Sequence, residues 1–230
     1  MNVLILGRGK TGSLVAEVAR QRRHNIQVVG SSENAGTAAL TPDKLRAIDV
    51  AIDFTVPTCV LAHMEACVRA NKNMVVGTTG WHGELDHIRK LVEEHGTGLI
   101  YAANFSIGVN IFLEAARAAA AALRHDYTGQ IFERHHAHKK DAPSGTAIAL
   151  QQVMRDAGKD VKKEDLEIVS FREGDVVGMH EVVLESSADR IYLCHDAKSR
   201  QGFAEGAVRA AEWIAGKKGF YEFKDVWREL

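Results

Sequence analysis

The sequence predicts an α/β protein: an N-terminal doubly wound parallel sheet interrupted by an inserted α+β domain. Three observations carry that prediction. Five short, continuously apolar runs alternate with helical patterns over residues 1–105, as strands buried on both faces require. The alternation then stops, and three later strand candidates follow one another with little helix between them, the grouping of an α+β domain. A helical pattern returns from Gly202. It is too short to fold alone, so the second domain reads as an insertion. The expected boundaries are 1–106 plus 203–230 for the first domain and 107–202 for the second.

The strand candidates of the first domain are NVLIL (2–6), IQVVG (26–30), DVAIDF (49–54), NMVVG (73–77) and GLIYAA (98–103). Between them, Leu14, Val15, Val18 and Ala19 recur at helical spacing in Thr11–Arg22. Val60, Leu61, Met64 and Val68 do so in Pro57–Ala70, and Leu85, Ile88, Leu91 and Val92 in Glu84–Glu94. In the second domain Ile107–Leu123 reads as one long helix and residues 127–136 as a strand. Ser144–Asp156 reads as a helix packed through Ile148, Leu150 and Val153, and 166–173, 178–186 and 189–196 as the grouped strands. Trp213 and Trp227, on the last helical patterns, are expected in the core.

Composition excludes several classes. Apolar residues make up 46% and charged residues 26%, with a formal net charge of −1. Nucleic-acid and membrane-surface partners favour a marked basic excess, which is missing here. No apolar run approaches a membrane span, and MNVLILG is too short for a signal-peptide core. The expected compartment is the cytoplasm. Cys59, Cys67 and Cys194 show no C-x-x-C spacing and read as reduced, mostly buried thiols that pack rather than react.

The first chemical signal is GRGKTG, a G-x-G-x-x-G pattern at Gly7, Gly9 and Gly12. It lies between an apolar strand and a helical pattern, the context that gives the pattern meaning. Gly7 permits the turn, Gly9 admits a pyrophosphate to the backbone, and Gly12 lets helix and sheet pack closely. The helix start then supplies N–H groups to the anion. A Rossmann-like, dinucleotide-binding first domain is expected. Its candidate cofactor residues are Gly7, Arg8, Gly9, Lys10, Thr11 and Gly12. Ser31 and Ser32 follow the second strand. Gly77, Thr78, Thr79, Ala102, Ala103, Asn104 and Phe105 follow the fourth and fifth, at the strand ends where open α/β sheets bind ligands. An acid ending the second strand would hold a ribose 2′-OH, yet the chain has GSSE there, with Glu33 slightly late. Hydroxyls beside Arg8 and Lys10 suit a 2′-phosphate. The expected cofactor is NADPH or NADH, with NADPH favoured.

The second signal is ERHHAHKKDAPSGTA (133–147), which gathers three of the eleven histidines within four positions. His135, His138 and Asp141 could be read as metal ligands. A strand, however, sends neighbouring positions to opposite faces, and no cysteine pair completes a site, so no metal is expected. A solvated charged loop explains Arg134, His138 and Lys140 but not the rest. DAPSGTA is a helix start, with Asp141 or Ser144 as cap and Pro143 in the first turn. Ser144, Gly145 and Thr146 would offer donors to a carboxylate. His135 and Lys139 are the candidate proton carriers. Acid–base groups beside an anion site, in a dinucleotide-binding chain, point to hydride transfer onto a small acidic substrate.

Residues 133–147 resemble the signature of the 4-hydroxy-tetrahydrodipicolinate reductase (dihydrodipicolinate reductase) family, at Glu133, His135, His136, Lys139, Asp141, Pro143, Ser144, Gly145 and Thr146. The likeness extends through DFTVP, VVGTTG, AANFSIGVN, REGDVVGMHEV and GAVRAAEWIAGKKG. It implies reduction of 4-hydroxy-tetrahydrodipicolinate to tetrahydrodipicolinate with NADH or NADPH, in the diaminopimelate route to lysine. It further implies that His135 and Lys139 carry protons, that His136, Ser144, Gly145 and Thr146 bind the carboxylates, and that the second domain's open sheet builds a homotetramer. The chain departs from many members in a glycine loop one residue shorter and in lacking an acid at the end of the second strand. Two other readings stay open: another two-domain nicotinamide-dependent amino- or imino-acid dehydrogenase, and a dinucleotide sensor without chemistry. Neither explains residues 133–147. Arg172, His180 and Arg200 stand between assisting the anionic substrate and plain structural roles.

Overall fold

The computed structural model describes residues 1–158 and 166–230. They form two compact units, residues 1–106 with 201–230, and residues 107–200.

The first unit is built on β1 (Asn2–Leu6), α1 (Lys10–Gln21), β2 (Asn25–Val29), α2 (Pro42–Arg46), β3 (Val50–Asp53), α3 (Pro57–Arg69), β4 (Asn73–Val76), α4 (Leu85–His95) and β5 (Gly98–Tyr101). Its strands lie in the order β10-β5-β4-β3-β1-β2, where β10 is Gly219–Glu222, and every pairing is parallel. The apolar runs are explained by two-sided burial: Val3–Leu6, Val50–Ile52, Met74–Val76 and Leu99–Ile100 are at most 1% exposed. Thr41 caps α2 by accepting a hydrogen bond from the Lys44 N–H, with Pro42 opening the helix. Gly96, left-handed at φ 61°, ends α4. The chain returns through α7 (Gln201–Ile214), β10 and α8 (Phe223–Val226).

The second unit holds α5 (Ile107–Ala119), β6 (Thr128–His135), α6 (Gly145–Ala157), β7 (Leu166–Arg172), β8 (Met179–Glu185) and β9 (Arg190–Asp196). Its sheet runs β7-β6-β8-β9, with β6 and β7 parallel and the others antiparallel. One face packs on α5 and α6 through Phe112, Ile131, Leu150, Met154, Leu166, Val182 and Leu184. No helix among the described residues is long and apolar enough to cross a membrane.

Several expectations need correction. The helix from Ile107 is α-helical only to Ala119 and tightens to 3₁₀ over Ala120–Arg124, because an alanine run supports either winding. In α6 Leu150 packs, but Ile148 is 52% exposed and Met154 takes the inner position. Ser144 is the cap, so Pro143 stands before the helix rather than in its first turn. Trp213 and Trp227 are half-buried; Trp213 directs its indole N–H to Glu229 and its ring to Lys217. Only Cys67 is buried, and Cys194 is exposed on β9. Strand β10 escapes sequence pattern because four half-buried residues leave too short a run to read.

Candidate active site

The glycine loop joins β1 to α1. Gly7 has φ +108°, and a Cβ there would stand 2.2 Å from the Phe54 carbonyl oxygen. A Cβ on Gly12 would meet the Gly7 carbonyl at 2.2 Å, whereas one on Gly9 would enter open space. Two glycines therefore allow the tight fit and the third leaves room for a ligand. That room belongs to a groove of about 700 Å³ lined by Gly7, Arg8, Gly9, Gly30–Ser32, Asn34–Gly36, Phe54–Val56, Thr58, Cys59 and His63. The loop geometry and the groove fit a dinucleotide with its pyrophosphate at the start of α1.

Beside the groove, Glu33 folds back so that its carboxylate accepts the Gly30 N–H at 2.9 Å and pairs with Arg8 at 3.0 Å. Arg8 also donates to the Val28 carbonyl. The carboxyl lies below its usual range, chiefly through the Gly30 N–H and then through Arg8. An acidic group thus stands at the end of β2 after all. The sequence hides it because the intervening residues make a turn rather than an extended chain. Arg8 is ordered by this pair rather than freely solvated, while Lys10 is exposed.

The other candidate cofactor residues divide by environment. Ser31 and Ser32 are exposed on the groove wall, Thr11 is half-buried, and Gly77, Ala102 and Asn104 are half-buried beyond the strand ends. Thr79 and Ala103 are exposed. The Asn104 side chain accepts the Ser106 N–H at 2.9 Å. Phe105 is 1% exposed, edge-on to Phe54 and Phe223, so its ring is a core element. Thr78 is buried, and its hydroxyl donates to Asp53 and accepts the Thr55 N–H.

Asp53, at the end of β3, anchors a closed polar cluster. Its Oδ1 accepts from the Thr55 N–H, the Thr55 hydroxyl and the Thr78 hydroxyl. Its Oδ2 lies 2.7 Å from His63 Nδ1. Asn34 fixes the tautomer: its Oδ1 accepts the Ala39 N–H, so its amide nitrogen donates to His63 Nε2 at 2.8 Å. His63 therefore carries its proton on Nδ1 and donates it to Asp53. This relay ties the turn after β2 to the end of β3. Sequence reasoning missed Asn34 and His63. The available signal was His63 on the apolar stripe of α3 with Val60, Met64 and Cys67, where a polar side chain must find partners.

In the second unit, β6 is flanked on both sides, and Glu133 lies in register with Ser170 on β7 and His180 on β8. Glu133 is fully buried. Its Oε1 accepts from the Ser144 N–H, the Ser170 hydroxyl and Arg172 at 3.0, 2.6 and 2.8 Å. Burial alone would push this carboxyl up, but hydrogen bonding from the Ser144 side chain, then from Ser170, Arg172 and the Ser144 N–H, outweighs it and holds it at about 2. Its Oε2 stands 3.3 Å from His135 Nδ1 and 3.8 Å from His180 Nε2. Arg172 also donates to the Asp141 carbonyl at 2.6 Å. One carboxylate therefore gathers a strand end, a helix start and the loop between them.

His135 is buried and His136 half-buried, since the chain leaves the sheet between them. Burial, more than its neighbours, lowers the His135 pKa. Its imidazole is therefore neutral at neutral pH and can accept a proton. Lys139 Nζ donates to both Asp141 oxygens, at 2.8 and 2.9 Å. Ser144 caps α6 through the Ala147 N–H, while Gly145 is exposed and Thr146 half-buried at its start. Such a set can hold an anion at a helix end and move a proton beside it. Glu133, His135 and His180 present ligand atoms within 4.8 Å of one another. Only His135 is shared with the set weighed from sequence, His135, His138 and Asp141. His138 and Asp141 are exposed.

The family profile described as dihydrodipicolinate reductase, N-terminus, matches residues 1–105, and the one described as dihydrodipicolinate reductase, C-terminus, matches residues 108–227. The chain belongs to the dihydrodipicolinate reductase family. It is similar to the 4-hydroxy-tetrahydrodipicolinate reductase of Christiangramia forsetii, 38% identical over all of this chain and 99% of that one. It is 34% identical to the Neisseria meningitidis enzyme of the same name, over 98% of this chain and 97% of that one. Among solved structures, the dipicolinate-bound dihydrodipicolinate reductase from Paenisporosarcina sp. TG-14 superposes with a TM-score of 0.80 at 25% identity, over 98% and 99% of the two chains. Dihydrodipicolinate reductases use a nicotinamide cofactor, in keeping with the glycine loop and groove of the first unit.

Proposed function

We propose that this chain reduces 4-hydroxy-tetrahydrodipicolinate to tetrahydrodipicolinate in the diaminopimelate route to lysine. Family membership over both units supports this reading. The observation that carries it is the convergence, within residues 133–147, of a neutral buried His135, an ordered Lys139 and a capped helix start. The dipicolinate bound to the Paenisporosarcina enzyme supports a small dicarboxylate as the ligand.

In this scheme Ser144, Gly145 and Thr146 receive the substrate carboxylates, with His136 alongside. Bound cofactor supplies the hydride that reaches C4 of the conjugated ring. The C4 hydroxyl leaves as water with a hydrogen from C3, which forms the conjugated ring before the hydride arrives, and Lys139 or His135 then delivers a proton to C3. Asp141 keeps Lys139 oriented, and Glu133 keeps His135 and the start of α6 in one frame. NADPH is favoured and NADH accepted: Arg8, Ser31 and Ser32 suit a 2′-phosphate, and the Glu33 carboxylate suits a ribose hydroxyl. We also propose a homotetramer built on the outer face of the second sheet. The register gives that face Phe132, Val169, Phe171, Val183 and Tyr192, with Tyr192 56% exposed.

The test is a coupled assay. The substrate is generated in place from pyruvate and aspartate semialdehyde with a dihydrodipicolinate synthase, and NADPH and NADH absorbance are followed separately. Substrate-dependent loss of both signals, faster with NADPH, is expected. Binding of either cofactor without oxidation would reject the reaction.

A further inference from the structure

His180 sits on β8 beside Glu133 and is 4% exposed. Its Nε2 lies 3.2 Å from Ser144 Oγ, and its Nδ1 has no hydrogen-bond partner among the described residues. Ser144 Oγ already accepts the Ala147 N–H. Two arrangements fit the heavy atoms. With the proton on Nδ1, the serine would spend its own hydrogen on Nε2 and leave a buried N–H with no acceptor. With the proton on Nε2, the histidine donates to Ser144 and leaves only an unfilled acceptor. Buried donors are orphaned more rarely than acceptors. The Glu133 carboxylate oxygen 3.8 Å from Nε2 favours a proton on that side as well. Burial pushes the His180 pKa down to about 4, so the ring is neutral near neutral pH and this choice of tautomer is real.

We infer that His180 is a positioning residue for the carboxylate site: by donating its Nε2–H to Ser144 Oγ, it leaves the serine hydroxyl hydrogen for the Glu133 carboxylate and so fixes the start of α6. Ser144 is then held by one donor from α6 and one from β8, and its own hydrogen is directed at Glu133. The inference rests on the reading of Ser144–Thr146 as the place where a carboxylate docks.

Steady-state kinetics of His180→Gln, His180→Asn, Ser144→Ala and the double variant His180→Asn/Ser144→Ala test it, with NADPH affinity followed by fluorescence. The glutamine amide nitrogen overlays Nε2 and the asparagine nitrogen overlays Nδ1. His180→Asn should raise the substrate KM about tenfold or more, the scale of a hydrogen bond to a charged group. His180→Gln should stay within about threefold, NADPH affinity should hold in all variants, and His180→Asn should add nothing once Ser144 is alanine. Equal loss in the two His180 variants, or full additivity in the double variant, would overturn the role of His180 while leaving the carboxylate reading intact. An unchanged KM in Ser144→Ala would instead show that the serine hydroxyl does not hold the carboxylate site in place, and the inference would fall with it. Long-range ¹H–¹⁵N spectra of the unmutated protein give an independent check: the Nε2–H tautomer is expected, and the Nδ1–H tautomer would contradict it.

Discussion

Two buried polar clusters, one in each unit, are built from the same parts and finished differently. Asp53, His63, Asn34, Thr55 and Thr78 close on themselves, each donor matched to an acceptor. Around Glu133, by contrast, Glu133 Oε2, His135 Nδ1, Arg172 Nε and His180 Nδ1 make no hydrogen bond among the described residues, although Oε2 and His135 Nδ1 face each other at 3.3 Å. A closed network holds a shape, whereas an open one stores polar groups for another molecule to use. The first cluster fixes the wall of the groove; the second is where we propose that the chemistry takes place.

The largest effect that sharpens this contrast is expected at Lys139. Lys139→Ala should lower turnover about 10²- to 10⁴-fold, the range for a positioned proton donor, while NADPH affinity stays unchanged. Near-normal turnover in the coupled assay would remove Lys139 from the reaction.

A smaller effect is expected in acid. The folded His180 pKa, about 4, lies below its ordinary value of 6.5, so the unfolded chain takes up that proton first. Stability is complete above pH 6.5 and falls by about 3 kcal/mol as pH drops through 4. Glu133, at about 2 against an ordinary 4.5, adds a second loss of similar size, about 3 kcal/mol, between pH 4.5 and 2. Urea midpoints measured from pH 7 to 3 should fall in both windows, and His180→Gln should abolish the first. A flat profile between pH 6.5 and 4 would contradict the burial of a neutral His180.

The βαβ rhythm was legible because parallel strands buried on both faces read as unbroken apolar runs, and the glycine loop because Gly7 and Gly12 answer steric demands stated within a few residues. Residues 133–147 were legible as a candidate site for the same reason: strand end, loop and helix start are consecutive. What stayed hidden depends on pairing between distant segments. Register alone brings Ser170 and His180 against Glu133, and a turn alone returns Glu33 to Gly30. The Asn34–His63–Asp53 relay joins three elements that no local pattern connects. Ile148 and the two tryptophans were misjudged because periodicity marks a face without saying how deeply a neighbour covers it.

The division of labour is tested most directly by measuring NADPH affinity and single-turnover rate on two variants side by side, Asp53→Asn and Glu133→Gln. Asp53→Asn should weaken NADPH binding and leave the single-turnover rate at saturating cofactor near that of the unmutated chain. Glu133→Gln, which strands the Arg172 charge at a stability cost of about 3–5 kcal/mol, should lower the rate and leave NADPH affinity unchanged. The reverse pattern, with Glu133→Gln impairing cofactor binding and Asp53→Asn the chemical step, would contradict the assignment of the two clusters.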